Sequence, residues 1–466
     1  MPDSNAYFGA IDTETMGFLH KSLDDFFQSY DPARPTIILL PGGLGSALHQ
    51  SWSAFNGTPQ PISAFRRVIW VDLGLLFGEA HQLPIDDAGF DTQDRIVVAE
   101  GDLDFCFVHP YRDAITYFRD HLNINLLVFG WDWRRKVMTS VGYLTQVLQT
   151  MMARSLNLTG QNMLHDTYLV GHSMGGMVAK LLLSSQPQLA DDLRGMISVG
   201  SPFYGYFGQL DRFYNGVKYF NDLYTAATVA RITSSWPGMY SLLPIDLPTY
   251  QQAHQQLGLA HYPVLNSGNG LPVDPYSANT FPRYPNWVRT GEIPRGLMVR
   301  HMLAAPLSGS LGGRVYHLRV NQPNTTLVSA TWNPGLPPSY TPGVTPSPID
   351  FAMGGGDNTI PHWSAALAST PAENITDFPA GEHAYLMEER PILAKIAELV
   401  TGEAITERVV TEVLGERDEV ASHDETDRII QAIKAGEITR SRPYEKGSKQ
   451  IVKPSVLRRI SQEYAI

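Results

Sequence analysis

Apolar positions fall into two alternating patterns along the chain. Short continuous runs occur at residues 35–40 (P-T-I-I-L-L), 125–129 (N-L-L-V-F), 168–170 (Y-L-V) and 195–200 (G-M-I-S-V-G). Runs of this length, rich in branched side chains and closed by glycine, predict strands buried on both faces. Residues 68–73, 315–320 and 374–378 read as further strands. Between the runs, apolar residues recur at helical spacing in segments 19–30, 111–121, 137–156 and 390–400. Strands alternating with helices of this kind predict an α/β protein built on a mostly parallel sheet with helices on both faces.

The alternation breaks after residue 202. From 203 to about 345 proline and glycine are dense, and Phe213, Val217, Phe220 and Tyr224 form an aromatic stripe at helical spacing. An insertion of this size after a strand of the sheet predicts a cap over a pocket. Its stripe either packs against the core, or it lines an acyl channel or opens to a lipid surface. The expected organisation is therefore a first core part over 1–202, a cap over 203–345 with a core strand near 315–320, a second core part over 346–403, and a charged extension over 404–466.

Composition narrows the class. The chain of 466 residues is 43% hydrophobic and 17% charged, which suits a globular protein with a sizeable core. A formal charge of −11 argues against nucleic acid as a partner, because phosphate contacts need a clustered positive surface. The single cysteine, Cys106, leaves no intrachain disulfide, and its F-C-F setting predicts a buried thiol. The N-terminal stretch lacks the positive start and apolar run of a secretory signal, and no apolar segment is long enough to span a bilayer. A cytoplasmic location is expected.

The chemistry centres on residues 167–183, T-Y-L-V-G-H-S-M-G-G-M-V-A-K-L-L-L. A strand pattern runs into G-x-S-x-G, and a helical pattern with Met177, Val178, Leu181 and Leu182 follows at once. That sequence of elements predicts a nucleophile elbow, with the Ser173 hydroxyl raised on a strained turn above the sheet edge. A serine hydroxyl needs an imidazole to take its proton and a carboxylate to hold that imidazole. In elbow enzymes the chain order is serine, acid, histidine. Asp357, in G-G-G-D-N-T-I-P, is the leading acid on what reads as a glycine-rich loop, with Asp350 the alternative. His383, between the last strand pattern and the last core helix, is the leading base, ahead of His317 and His362. His172 beside the nucleophile reads as a packing residue. Residues 41–46, P-G-G-L-G-S, follow a central strand, where glycines let main-chain N–H groups turn toward a bound oxyanion. The plain alternative is an ordinary glycine-rich loop. Asp132 and Arg134 read as a structural ion pair.

Several blocks together resemble the lecithin:cholesterol acyltransferase-like branch of the α/β-hydrolases. They are P-T-I-I-L-L-P-G-G-L-G-S (35–46), W-V-D-L (70–73), W-D-W-R (131–134) and Y-L-V-G-H-S-M-G-G through S-S-Q-P-Q-L (168–189). The series continues with I-S-V-G-S-P-F-Y-G (197–205), W-P-G-M-Y-S-L-L-P (236–244), G-G-D-N-T-I-P (355–361) and the loop around His383. The order is that of the family. The resemblance implies an α/β-hydrolase fold, a triad of Ser173, Asp357 and His383, and an oxyanion hole from the N–H groups of Gly43 and Met174. It also implies that the cap shapes the acyl and alcohol sites. Leu44, Trp131, Phe203 and Tyr204, in neighbouring loops, are the expected substrate contacts.

The expected function is serine-dependent hydrolysis or acyl transfer on a carboxylic, lipid-type ester. The rivals are an O-acyltransferase moving the acyl chain to an alcohol and a non-catalytic module that binds lipid or a partner through its cap. No metal-ligand spacing, H-E-x-x-H or G-x-G-x-x-G before a helix occurs, so no metal and no cofactor are expected. The partner is a small-molecule or lipid ester. The tail turns from acidic to basic along its length and reads first as a solvated extension; the sharper reading is a peripheral contact with an anionic membrane or with another subunit.

Overall fold

The computed structural model describes residues 13–51, 67–70, 83–86, 91, 96–102, 110–216, 225–307, 309–333 and 347–415. Cys106, Val217, Phe220, Tyr224, residues 71–73 and the extension from 416 onward lie outside the described residues.

Among the described residues six strands form the central sheet, numbered here within it: β1 (Thr36–Leu40), β2 (Asn125–Val128), β3 (Thr167–His172), β4 (Gly195–Val199), β5 (Val315–Val320) and β6 (Ile375–Phe378). Their spatial order is β6-β5-β4-β3-β1-β2, and every neighbouring pair is parallel. The chain leaves β1 for β2 on one side and returns to β3 on the other. That reversal puts a topological switch point between β1 and β3, where ligands gather beyond the carboxyl ends of the strands.

The apolar runs read as double-sided strands because the sheet is covered on both faces. Ile38, Leu40, Leu169 and Met196 join one apolar cluster with helix Val137–Thr159 and the elbow helix Met174–Ser185. Ile37, Leu39, Val170, Ile197 and Val199 join the other, with Tyr117, Phe118 and helix Arg390–Thr401. Each buried aliphatic side chain contributes about 1.5–3 kcal/mol over its exposed state, so the two layers hold the strands in register.

Two smaller sheets are present among the described residues. Ala47–Ser51 pairs antiparallel with both Arg67–Trp70 and Ile96–Glu100. Gln322–Trp332 pairs antiparallel with Ile349–Gly356 and parallel with Val264–Asn266. At the end of β2 the Arg134 guanidinium is buried. It pairs with Asp132 at 2.8 Å and Asp91 at 3.3 Å and donates to the Leu83 carbonyl. A cation this deep is held by its two carboxylates, and the cluster ties the strand end to the loops around it. Among the described residues no helix is long and apolar enough to cross a membrane.

Candidate active site

Ser173 occupies the turn between β3 and the elbow helix with φ 51° and ψ −126°. A non-glycine residue in this region is strained, and the surrounding packing imposes the strain. A Cβ on Gly175 would lie 2.1 Å from the Leu40 carbonyl oxygen, and one on Gly171 2.4 Å from the Gly176 nitrogen. Only glycine allows strand and helix to close this far. The Ser173 N–H donates to the Val199 carbonyl at 2.9 Å, which anchors the turn to β4.

The side chain of Ser173 meets His383, which opens a 3-10 turn after β6. Ser173 Oγ lies 2.8 Å from His383 Nε2, and His383 Nδ1 lies 2.7 Å from Asp357 Oδ2. The other carboxylate oxygen of Asp357 accepts from the N–H groups of Thr359 and Ile360. All three residues are 0–1% exposed. Asp357 is not on a free glycine loop as its local sequence suggests. The three glycines end the strand Ile349–Gly356, and the long partner Gln322–Trp332 supplies the ladder that glycine-rich sequence alone does not predict. Asp350 sits earlier on this strand, bonded to Asn333 at 2.8 Å.

The loop after β1 is fixed by tryptophans. Trp131 Nε1 donates to the Pro41 carbonyl at 2.9 Å, Trp70 Nε1 to Leu44 at 2.8 Å, and Trp133 Nε1 to Ser46 at 3.4 Å. Gly45 N–H closes a turn on Gly42 at 3.0 Å, and Leu44 takes a positive φ of 64°. Gly43 lies inside this buried loop, and Met174 is the first residue of the elbow helix, where a main-chain N–H has no partner within the helix. Leu44 and Trp131 are buried in the same loop cluster. Phe203 packs its ring 5.0 Å from that of His317, and the Tyr204 hydroxyl accepts from Ala368 N–H at 3.0 Å. In this structure the four expected substrate contacts are packed inside the protein.

The alternative histidines have other partners. His362 pairs with Asp377 at 2.9 Å. His317 is buried between Ser198, at 2.6 Å, and Thr370, at 2.9 Å. Burial, reinforced by the charges of Arg319 and Lys180, pushes its pKa down to about 3, so the ring is neutral. Among the described residues no group of three or more His, Cys, Asp or Glu side chains could hold a metal ion.

Three residues close to the site escape a reading by motif. Gly200, just past β4, has φ 57°, and a Cβ there would lie 2.8 Å from Asp357 Oδ2 and 3.3 Å from His383 Nδ1. The glycine between the strand run and S-P-F was its only signal. His172 is a hydrogen-bonded residue as well as a packed one, with Nε2 2.8 Å from the His383 carbonyl. Its Nδ1 lies 2.8 Å from the hydroxyl of Tyr111, a residue that nothing in its local sequence marks out.

A six-stranded parallel sheet wrapped by helices, with a strained serine at the switch-point edge, is the α/β-hydrolase architecture. Residues 109–235, which hold β2, β3, β4 and the serine turn, match the family described as PGAP1-like alpha/beta domain. An uncharacterized protein of Saccharomyces cerevisiae, YJR098C, is 38% identical over 80 residues, a stretch that is 17% of this chain and 11% of the yeast protein's length. A chain in the crystal structure of the Tle4-Tli4 complex aligns with a TM-score of 0.46 at 12% identity, over 81% of this chain and 99% of that one.

Proposed function

We propose that this protein is a serine-dependent esterase or lipase of carboxylic, lipid-type esters, related to the lecithin:cholesterol acyltransferase-like branch. Ser173 Oγ attacks the ester carbonyl while its proton passes to His383 Nε2, and Asp357 holds the resulting imidazolium. The oxyanion rests on the N–H groups of Gly43 and Met174. Collapse expels the alcohol, which takes the proton from His383 and leaves an acyl group on Ser173. Water repeats the sequence and frees the acid. The segment 203–345, apart from the core strand β5, serves as the cap that shapes the acyl and alcohol sites.

The observation that carries this reading is the unbroken hydrogen-bonded chain from Ser173 through His383 to Asp357. A merely structural serine has no need of a histidine that is in turn held by a carboxylate, and a non-catalytic hydrolase-like module has no reason to retain all three. The test is turnover of a short p-nitrophenyl ester together with labelling by a fluorophosphonate probe. Ser173→Ala should abolish both and leave the circular dichroism spectrum unchanged. Full turnover in that variant would refute the assignment.

A second reading, acyl transfer to an alcohol, is favoured by one observation: Ser173 is 0% and His383 1% exposed. A site that excludes water gives an alcohol acceptor the advantage in the second half-reaction. Product masses measured with and without added alcohol separate the two.

A further inference from the structure

Groups that the proposed chemistry does not use connect the loop after β1 to His383. Tyr111 is 1% exposed and His172 2% exposed, and the two are hydrogen-bonded to each other. Burial, reinforced by the nearby His383, lowers the pKa of His172 well below its ordinary value, so its ring is neutral and carries one proton. The position of that proton is fixed by its partners. The His383 carbonyl can only accept, so His172 Nε2 is the N–H donor, and Nδ1 must accept. Tyr111 Oη therefore donates to His172 Nδ1 at 2.8 Å, and it accepts from the Gly42 N–H at 2.8 Å.

The chain of bonds has one direction: Gly42 N–H to Tyr111 Oη, Tyr111 O–H to His172 Nδ1, His172 Nε2–H to the carbonyl of His383. It begins in the loop after β1 and ends on the main chain of the histidine that faces Ser173. The loop is moulded around it. A Cβ on Gly45 would lie 2.5 Å from Tyr111 Oη, and one on Gly42 would lie 3.1 Å from His172 Nδ1 and 2.9 Å from Ser173 Cβ. The His172 and His383 rings are 5.0 Å apart, and Tyr111 and His172 are 5.7 Å apart.

We propose that Tyr111 and His172 are positioning residues that set the loop after β1 and the His383 main chain relative to one another, so that oxyanion donors and base are held in a single alignment. The inference rests on the serine-hydrolase reading above. Removing a link lets the two loops settle independently. Displacement of reacting groups on the scale of 1 Å costs about 100-fold in rate, whereas substrate affinity depends mainly on other surfaces.

The test uses the full chain and a p-nitrophenyl ester, with competent sites counted by fluorophosphonate titration. Tyr111→Phe deletes both hydroxyl bonds and keeps the ring; kcat per titrated site should fall by about 10- to 100-fold, with KM within about threefold. His172→Gln can still offer an amide N–H to the His383 carbonyl, and it should retain at least about tenfold more kcat per site than His172→Leu. Wild-type kcat per site in Tyr111→Phe, or equal values in His172→Gln and His172→Leu, overturns the proposal. So does a loss seen only as fewer titratable sites, which marks a purely structural role. If Tyr111→Phe does not fold, the two His172 variants decide. In each case loss of turnover in Ser173→Ala keeps the serine-hydrolase reading standing, so the two failures are told apart.

Discussion

Asp357 holds His383 twice: its carboxylate meets the ring Nδ1 at 2.7 Å, and its own carbonyl accepts the His383 main-chain N–H at 2.9 Å. Ring orientation and backbone position are thus tied to one residue. A histidine on a loop would otherwise sample several rotamers, and the proposed proton transfer from Ser173 requires one.

Asp357→Asn is expected to lower kcat by about 10³- to 10⁴-fold while the protein stays folded. One side-chain oxygen of Asp357 already accepts the N–H groups of Thr359 and Ile360. An asparagine will keep its oxygen there and turn its NH₂ toward His383 Nδ1. That forces the proton onto Nε2, where it blocks acceptance from Ser173. Steady-state kinetics on the p-nitrophenyl ester measure the loss, and a fall of less than about tenfold would contradict the orienting role.

Gly200→Ala separates backbone strain from site geometry. The new Cβ would press on the contact between Asp357 and His383, at a φ of 57°. Gly402→Ala imposes similar strain at φ 77° with nothing within 4 Å of the added carbon. Both should lose on the order of 1 kcal/mol of stability from the left-handed backbone. Only Gly200→Ala should also lose at least about tenfold in kcat. Equal kinetics in the two variants would show that Gly200 does not bear on the site.

Acid stability should carry the signature of buried neutral histidines. The pKa of His317 falls from 6.5 unfolded to about 3 folded, chiefly through burial. Between those values the unfolded chain binds a proton that the folded chain does not, so stability declines as pH drops below 6.5 and this contribution levels off near 3. The full slope for one group is about 1.4 kcal/mol per pH unit. Urea unfolding at pH 6.5, 5.5 and 4.5 should show the native protein losing stability faster than His317→Gln. Parallel curves for the two would mean that His317 takes up its proton in the folded state.

Some elements are legible in the chain because their cause is local. P-T-I-I-L-L is apolar at every position because β1 is covered on both faces, and the elbow shows itself in the glycines that its close approach demands. β6, with Thr376 and Asp377 in its four residues, is a weaker signal because it lies at the sheet edge and is half solvated. The strand Gln322–Trp332 is hidden for another reason: its polar residues are held by a partner strand that the sequence does not announce.

By itself, the sequence determined the α/β architecture, since burial on two faces and tight turns leave marks on adjacent residues. It also singled out Ser173 from the pattern around it, and Asp357 and His383 from their surroundings together with the chain order serine, acid, histidine. Tertiary structure alone decided that these three form one hydrogen-bonded chain, that Gly200 lies beneath it, and that Tyr111 reaches His172 across 61 positions. A distance between residues far apart in the chain is set by how whole layers pack, and no local run of side chains encodes it.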